Sequence, residues 1–164
     1  MAIIIKQMET EAEVRGKAYV HWYCWHTVYA GMVDQAYLEQ LTLEKMKERT
    51  LRSTDNVLVA KDGDRVVGFV GYGKSEEAGP EAGEIFTLYV LPAYFGTGLG
   101  LELMNAALER LQDYRQIHVW LLKENKRADR FYQKCGFIPD GNEKLSKVGA
   151  VGIRMTLNRS PAKL

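Results

Sequence analysis

Apolar and polar positions along this chain recur with two periods, and the switches between them lay out its elements. Ala2-Ile3-Ile4-Ile5-Lys6 is dense in β-branched residues and predicts a first strand. Thr10 precedes Glu11 and Glu13, as at a helix N-terminus. Ala18, Trp22, Trp25 and Tyr29 then recur at steps of 4, 3 and 4, so a helix with an aromatic face runs to Gly31. Asp34 to Leu41 and Thr42 to Arg49 form a second helical region, broken near Leu41-Thr42. From Asn56 the period changes to two. Val57 to Ala60 predicts a strand, Lys61-Asp62-Gly63-Asp64 a turn, and Val66 to Tyr72 the returning strand. Ser75 to Gly83, with Gly79-Pro80, connects to a strand that opens at Glu84. Pro92 closes that strand, because proline donates nothing to a ladder.

Three glycines at 96, 98 and 100 follow, and then Leu101, Met104, Leu108 and Leu111 on one helical face. Ile117 to Leu122 is a near-continuous apolar run, as in a strand buried on both faces. The helix between it and the Glu84 strand predicts that the two strands are parallel. Ala128, Phe131, Tyr132 and Cys135 share a helical face closed by Gly136. Leu145 to Val148 and Ala150 to Leu157 read as closing antiparallel strands, and Ser160 to Leu164 as a frayed end.

Strand, glycine turn and helix start together make an anion site, where backbone N–H groups converge and the helix dipole favours negative charge. A phosphate-bearing cofactor is expected between Gly96 and Leu101. The dinucleotide fingerprint G-x-G-x-x-G fails, since Leu101 or Leu103 stands where its last glycine must be. A second phosphate motif, G-x-x-x-x-G-K-[ST], is matched by Gly68 to Ser75. That motif needs a helix opening at Lys74-Ser75. Residues 68–73 alternate like a strand instead, and Gly79-Pro80 forbids a helix of useful length after Ser75. A P-loop nucleotide-binding protein is therefore the weakest reading.

Leu88-Tyr89-Val90-Leu91-Pro92, followed by Phe95-Gly96-Thr97-Gly98-Leu99-Gly100, resembles the central motif of the GNAT superfamily, the acyl-CoA-dependent N-acetyltransferases. Phe95 departs from it, standing where Gln or Arg is usual. The family's second hallmark, N-x-x-A-x-x-F-Y-x-K-x-G-F, is met in register by Asn125, Ala128, Phe131, Tyr132, Lys134, Gly136 and Phe137. The resemblance covers the chain from about Asn56 to Phe137. It implies an α/β, GNAT-like fold: a mixed, strongly twisted sheet splayed between its two central parallel strands, with helices on both sides. It also implies one N-acetyltransferase domain over residues 1–164 that moves acetyl from acetyl-CoA to a primary amine by direct transfer in a ternary complex. A non-catalytic acyl-CoA-binding regulatory protein of the same fold is the alternative.

The same resemblance assigns roles. The main chain of Leu88 and Val90 is implied to pair with the pantetheine arm, and Tyr89 between them is implied to be part of the cofactor site. Phe95, Gly96, Thr97, Gly98, Leu99, Gly100 and Leu101 are implied to hold the pyrophosphate through their N–H groups. Asn125 and Arg127 fall on the cofactor side, and Lys126, Arg127 or Arg130 could meet the ribose phosphate. Tyr132 is placed to give a proton to the departing thiolate. An aliphatic amine of pKa near ~10 is mostly cationic at neutral pH and must lose a proton before it can attack. Glu84, in the A/G-E-I context of several family members, is the candidate base, with ordered water as the alternative. Glu76, Glu77 and Glu81 lie on the preceding connection, where they could attract a cationic substrate. The aromatic set from Trp22 to Tyr37 either covers the sheet or walls the acceptor pocket.

Composition narrows the rest. A chain of 164 residues, 46% hydrophobic and 26% charged, is ordinary for one globular domain. A net charge of +1 gives no global pull toward nucleic acid or membrane. Cys24 and Cys135 make no disulfide framework and suit a reducing compartment, so a cytoplasmic protein is expected. The apolar run before Lys6 is too short for a signal or spanning helix. Neither metal-ligand spacing nor a Ser/His/Asp arrangement is visible, so neither a metal nor an acyl-enzyme is expected. The acceptor stays open between a small-molecule amine and a peptide amine, with a small cationic amine slightly favoured. Edge-strand pairing into a homodimer is open to such a sheet.

Overall fold

The structure is a computed structural model that describes residues 2–77 and 81–159. Its strands β1 (Ile3–Gln7), β2 (Val57–Asp62), β3 (Arg65–Lys74), β4 (Gly83–Val90), β5 (Gln116–Leu122), β6 (Ile138–Leu145) and β7 (Val151–Asn158) form one sheet. Their order is β1-β2-β3-β4-β5-β7-β6. All neighbours are antiparallel except β4 and β5, which are parallel. The helices are α1 (Glu11–Val28), α2 (Gln35–Gln40), α3 (Leu43–Arg52), α4 (Leu99–Arg110) and α5 (Lys126–Lys134).

Phe69 meets His21 of α1, with ring centroids 5.5 Å apart. A Cβ placed on the preceding Gly68 would lie 3.1 Å from Leu103 of α4. Successive residues of a strand point to opposite faces, so α1 and α4 cover opposite sides of the sheet. On the α4 side Leu103, Met104 and Ala107 are fully buried in the same apolar cluster as Val70, Ile85, Ile117 and Val119. At the start of α1 a capping box forms, Thr10 Oγ1 accepting from Glu13 N and the Glu13 carboxylate accepting from Thr10 N. That buried carboxylate also accepts from Lys6 of β1 at 2.7 Å and Lys61 of β2 at 3.2 Å, which ties the sheet edge to the helix.

Two irregularities matter for function. β4 and β5 pair only at Gly83↔Ile117, Glu84↔His118 and Ile85↔Val119, and beyond Ile85 the strands part. On its other side β4 pairs Thr87 with Gly71 but Ile85 with Tyr72, so Phe86 is an extra residue, a β-bulge. Phe86 is left 49% exposed beside the opening.

The structure corrects several expectations. The helix expected to reach Gly31 ends at Val28 with Tyr29 as its cap, and Gly31 turns the chain at φ +84°. The closing strands are Ile138–Leu145 and Val151–Asn158, and residues 146–150 form the turn between them, not part of a strand. β6 is exposed along its whole length, so it carries no apolar alternation to read, whereas Val148 is apolar because it packs with Val33 and Leu38. Residues Gly68 to Lys74 lie inside β3, which leaves no loop to cradle phosphates there and removes the P-loop reading. Ile117, Val119 and Leu121 of β5 lie in the apolar core, and on the other face His118, also buried, and the half-buried Trp120 turn toward a polar cluster rather than a second apolar layer. The Gly79-Pro80 connection and the 160–164 end lie outside the described residues.

Candidate active site

β4 ends at Val90, Pro92–Tyr94 makes one 3₁₀ turn, and the chain reverses through Gly96 and Gly98 at φ +77° and +88°. Only glycine holds such angles without strain. A Cβ on either would meet nothing within 4 Å, so the turn opens outward. Gly98 is the N-cap of α4 and offers no side-chain cap. Thr97 N reaches Tyr94 O and Leu99 N reaches Thr97 Oγ1, both at a long 3.4 Å. The N–H groups of Gly96, Gly98, Gly100 and Leu101 have no acceptor among the described residues. Unpartnered donors at a helix N-terminus suit an anion. A pyrophosphate fits them.

Phe95 changes the turn in an unexpected way. The guanidinium of Arg127, from the first turn of α5, lies 3.4 Å from the centre of the Phe95 ring. A cation therefore stands beside the turn although residue 95 is not one. Gly100 lets α4 approach α5, since a Cβ there would sit 3.3 Å from the Phe131 ring. The side chain of Asn125 caps α5, its Oδ1 accepting from Ala128 N at 3.1 Å, so it shapes this region by holding the helix start. Leu99 is buried and Leu101 exposed.

Beyond the last β5 partner the main chain of Phe86 to Val90 has no strand on the β5 side. Leu88, Tyr89 and Val90 thus line a sheet gap into which an extended arm can add as a strand. The Tyr89 side chain is committed elsewhere: its hydroxyl accepts from Trp25 Nε1 at 3.1 Å and shares a 3.0 Å hydrogen bond with Tyr29. Cys24 donates to Val90 O at 3.5 Å. Trp25 of α1 and its cap Tyr29 therefore pack on the Tyr89 side chain at this end of β4. Tyr132 of α5 is 7% exposed, and burial, then the neighbouring Tyr29, push its phenol well above the ordinary value.

Glu84 lies at the opposite, paired end of the gap. Burial raises its carboxyl above the ordinary range, and a hydrogen bond from Ser75 at 3.1 Å opposes that. Glu77, Glu84 and His118 bring ligand atoms within 4.8 Å of one another. Glu77 is not free to attract substrate, because its oxygens accept from Trp120 Nε1 and Arg154. Burial would raise Glu77, but those two donors hold it low. Arg154 also donates to Asp140 at 2.6 Å. Glu81 pairs with Lys74 at 3.3 Å. His118, Arg154 and Asp140 carried no signal in the sequence, and Ser75 appeared there only as the last residue of the discarded phosphate motif: His118 sits within an apolar run, and Arg154 and Asp140 belong to no motif.

The sequence model of the acetyltransferase (GNAT) family matches residues 17–137. The chain belongs to this family. Among GNAT relatives, one named an uncharacterized N-acetyltransferase of Mycobacterium tuberculosis is 36% identical over 87 residues, 52% of this chain and 54% of the relative. The chain thus spans about half the length of that relative. Another, from Archaeoglobus fulgidus, is 36% identical over 110 residues, 63% of this chain and 75% of the relative. The fold is likewise shared. A crystal structure from Pyrococcus horikoshii superposes with a TM-score of 0.77 at 22% identity, covering 97% of this chain and 99% of that one. A PaiA N-acetyltransferase of Thermoplasma acidophilum, in complex with coenzyme A, gives 0.72 at 21% identity over 96% of this chain and 99% of its own. The bulged, splayed β4 is thus set in a GNAT fold, with helices on both faces of a mixed sheet.

Proposed function

We propose that this GNAT protein moves an acetyl group from acetyl-CoA to a primary amine by direct transfer in a ternary complex, residues 1–164 acting as one domain. One observation carries the reading: four N–H groups, at residues 96, 98, 100 and 101, without an acceptor among the described residues stand directly after a strand whose edge is open from Phe86 to Val90. The turn takes the pyrophosphate, Arg127 adds charge beside it, and the open edge takes the pantetheine arm. When bound, acetyl-CoA supplies an acetyl group activated as a thioester.

The chain's own residues perform the proton work. Glu84 has no ion pair among the described residues, and burial raises its affinity for a proton. It accepts the proton of a cationic amine, directly or through water, leaving a neutral nucleophile. That unneutralised carboxylate favours a small cationic acceptor. Tyr132 keeps its proton because burial disfavours the phenolate. Its hydroxyl donates a hydrogen bond to the departing sulfur rather than ionising completely. The carbon–sulfur bond breaks as the carbon–nitrogen bond is established, and the second amine proton passes to the released thiolate.

Calorimetry with acetyl-CoA, followed by thiol release with an amine panel (spermidine, L-lysine and a short peptide), tests the reading. Saturable binding and thiol release with one amine are expected. An absence of binding heat overturns it, and binding without turnover assigns the protein to the regulatory alternative. No helix among the described residues is long and apolar enough to cross a membrane.

A further inference from the structure

Ser75 follows β3 directly and is buried, with its amide donating to Ala82 O at 2.8 Å. Its Oγ stands 3.1 Å from Glu84 Oε1, 3.4 Å from His118 Nδ1 and 3.4 Å from Glu77 N. A hydroxyl has one proton and two lone pairs. The Glu77 amide can only donate, so it claims one lone pair. An ionised Glu84 can only accept, so it claims the proton. The remaining lone pair must then face N–H at His118 Nδ1. One direction satisfies every group: His118 donates to Ser75, and Ser75 donates to Glu84.

Glu84 and His118 are also register partners across the parallel β4–β5 pair, one residue before the strands part. The chain of hydrogen bonds is therefore anchored on both strands at the root of the gap. Oε1 of Glu84 is engaged, while Oε2 has no hydrogen-bond donor among the described residues. We propose that Ser75 and His118 are positioning residues that pin one oxygen of Glu84 and turn the other toward the acceptor amine. The proposal rests on the reading of Glu84 as the base.

The surrounding charges are consistent with this direction. Glu77 faces the cluster from the β3–β4 connection, Asp140 and Lys144 from β6, and Arg154 from β7. Arg154 is paired with both Glu77 and Asp140. Burial, then Arg154, push the His118 imidazole below its ordinary value against the opposing pull of Glu77 and Asp140, which favours the neutral ring that the hydrogen-bond geometry calls for.

Nitrogen-15 NMR of histidine-labelled protein, with the His118 resonance identified by H118N, reads that assignment without any acceptor. The Nδ1–H tautomer is expected, with shifts that follow the ionisation of Glu84 and lose that response in S75A. An Nε2–H tautomer, or a response that survives in S75A, overturns the proposal. Kinetics supply a second arm, using the panel amine with the highest thiol-release rate. S75A should lower kcat roughly tenfold by loosening the base, leave KM for acetyl-CoA unchanged, and move the acidic limb of the profile to higher pH. S75T, which keeps the hydroxyl, should restore most of the rate. A wild-type rate and profile in S75A would also overturn the proposal. Failure of the underlying reading looks different: E84Q would then turn over at the wild-type rate, whatever the tautomer of His118.

Discussion

Arg127 stacks its guanidinium on Phe95 at 3.4 Å, joining the first turn of α5 to the glycine turn before α4. The stack holds an exposed cation in register with the backbone donors. Arg127→Ala should raise KM for acetyl-CoA several-fold, as expected for an exposed cation–π pair worth about 0.5–1 kcal/mol. KM for the amine should stay within twofold, and steady-state kinetics with each substrate varied in turn would show the split. Equal changes in both constants would remove Arg127 from the cofactor side.

Gly98 holds φ +88° with open space where a side chain would stand. Gly98→Ala should cost about 1–2 kcal/mol of stability through backbone strain alone. It should also weaken acetyl-CoA binding, because relieving that strain moves the turn that aims the backbone amides. Urea unfolding and calorimetry measure the two effects. Full affinity in the variant would place the pyrophosphate elsewhere.

Tyr132→Phe removes one hydroxyl from a buried ring and keeps the packing against Phe131 and Phe137. A fall in kcat with an unchanged KM for acetyl-CoA is expected, since the donor acts only as the sulfur departs. Unaltered kcat would exclude the phenol from the reaction.

A base must be ionised to act, so activity falls as pH drops through the pKa of Glu84. Burial raises that pKa. The acidic limb of kcat/KM should therefore lie above the ordinary glutamate range, and Glu84→Gln should lower kcat roughly a hundredfold or more. A limb at the ordinary value, carried over intact into the variant, would assign the proton to water or another group.

Glu13 governs stability rather than turnover. Burial alone would raise its carboxyl, but hydrogen bonds from Lys6, the Thr10 and Glu9 amides and Lys61 overcome that and hold it far below the ordinary value. For a carboxylate depressed in the folded state, the stabilisation is fully present above the unfolded pKa. It is lost as pH falls toward the folded value. Melting temperature should drop between about pH 5 and pH 2, and the drop should be shallower in Glu13→Gln. The variant itself should melt several degrees lower at pH 7, because it leaves two lysines facing a neutral amide. Parallel melting curves with acid would contradict this.

Much of the fold could be read from local pattern. β4, the glycine turn and α4 each carry their own signal: β-branched density, positive-φ residues, and a repeat of three and four. α5 with its Gly136 close is equally local. The tail was misread because β6 has both faces in water and Val148 is buried in a turn. Periodicity reports burial, and it names an element only when burial follows from that element.

By itself the sequence determined that a strand, a tight turn and a helix would present backbone N–H groups to an anion, since those features depend only on neighbours in the chain. It also placed Glu84 and Tyr132 on the elements that flank the gap. Tertiary structure alone decided that Arg127 stacks on Phe95, that Phe86 bulges where β4 leaves β5, and that Ser75 and His118 meet Glu84. Those partners come from β3, β4, β5, α5 and the loops between them. Their meeting depends on sheet order and strand register, and spacing along one chain does not encode either.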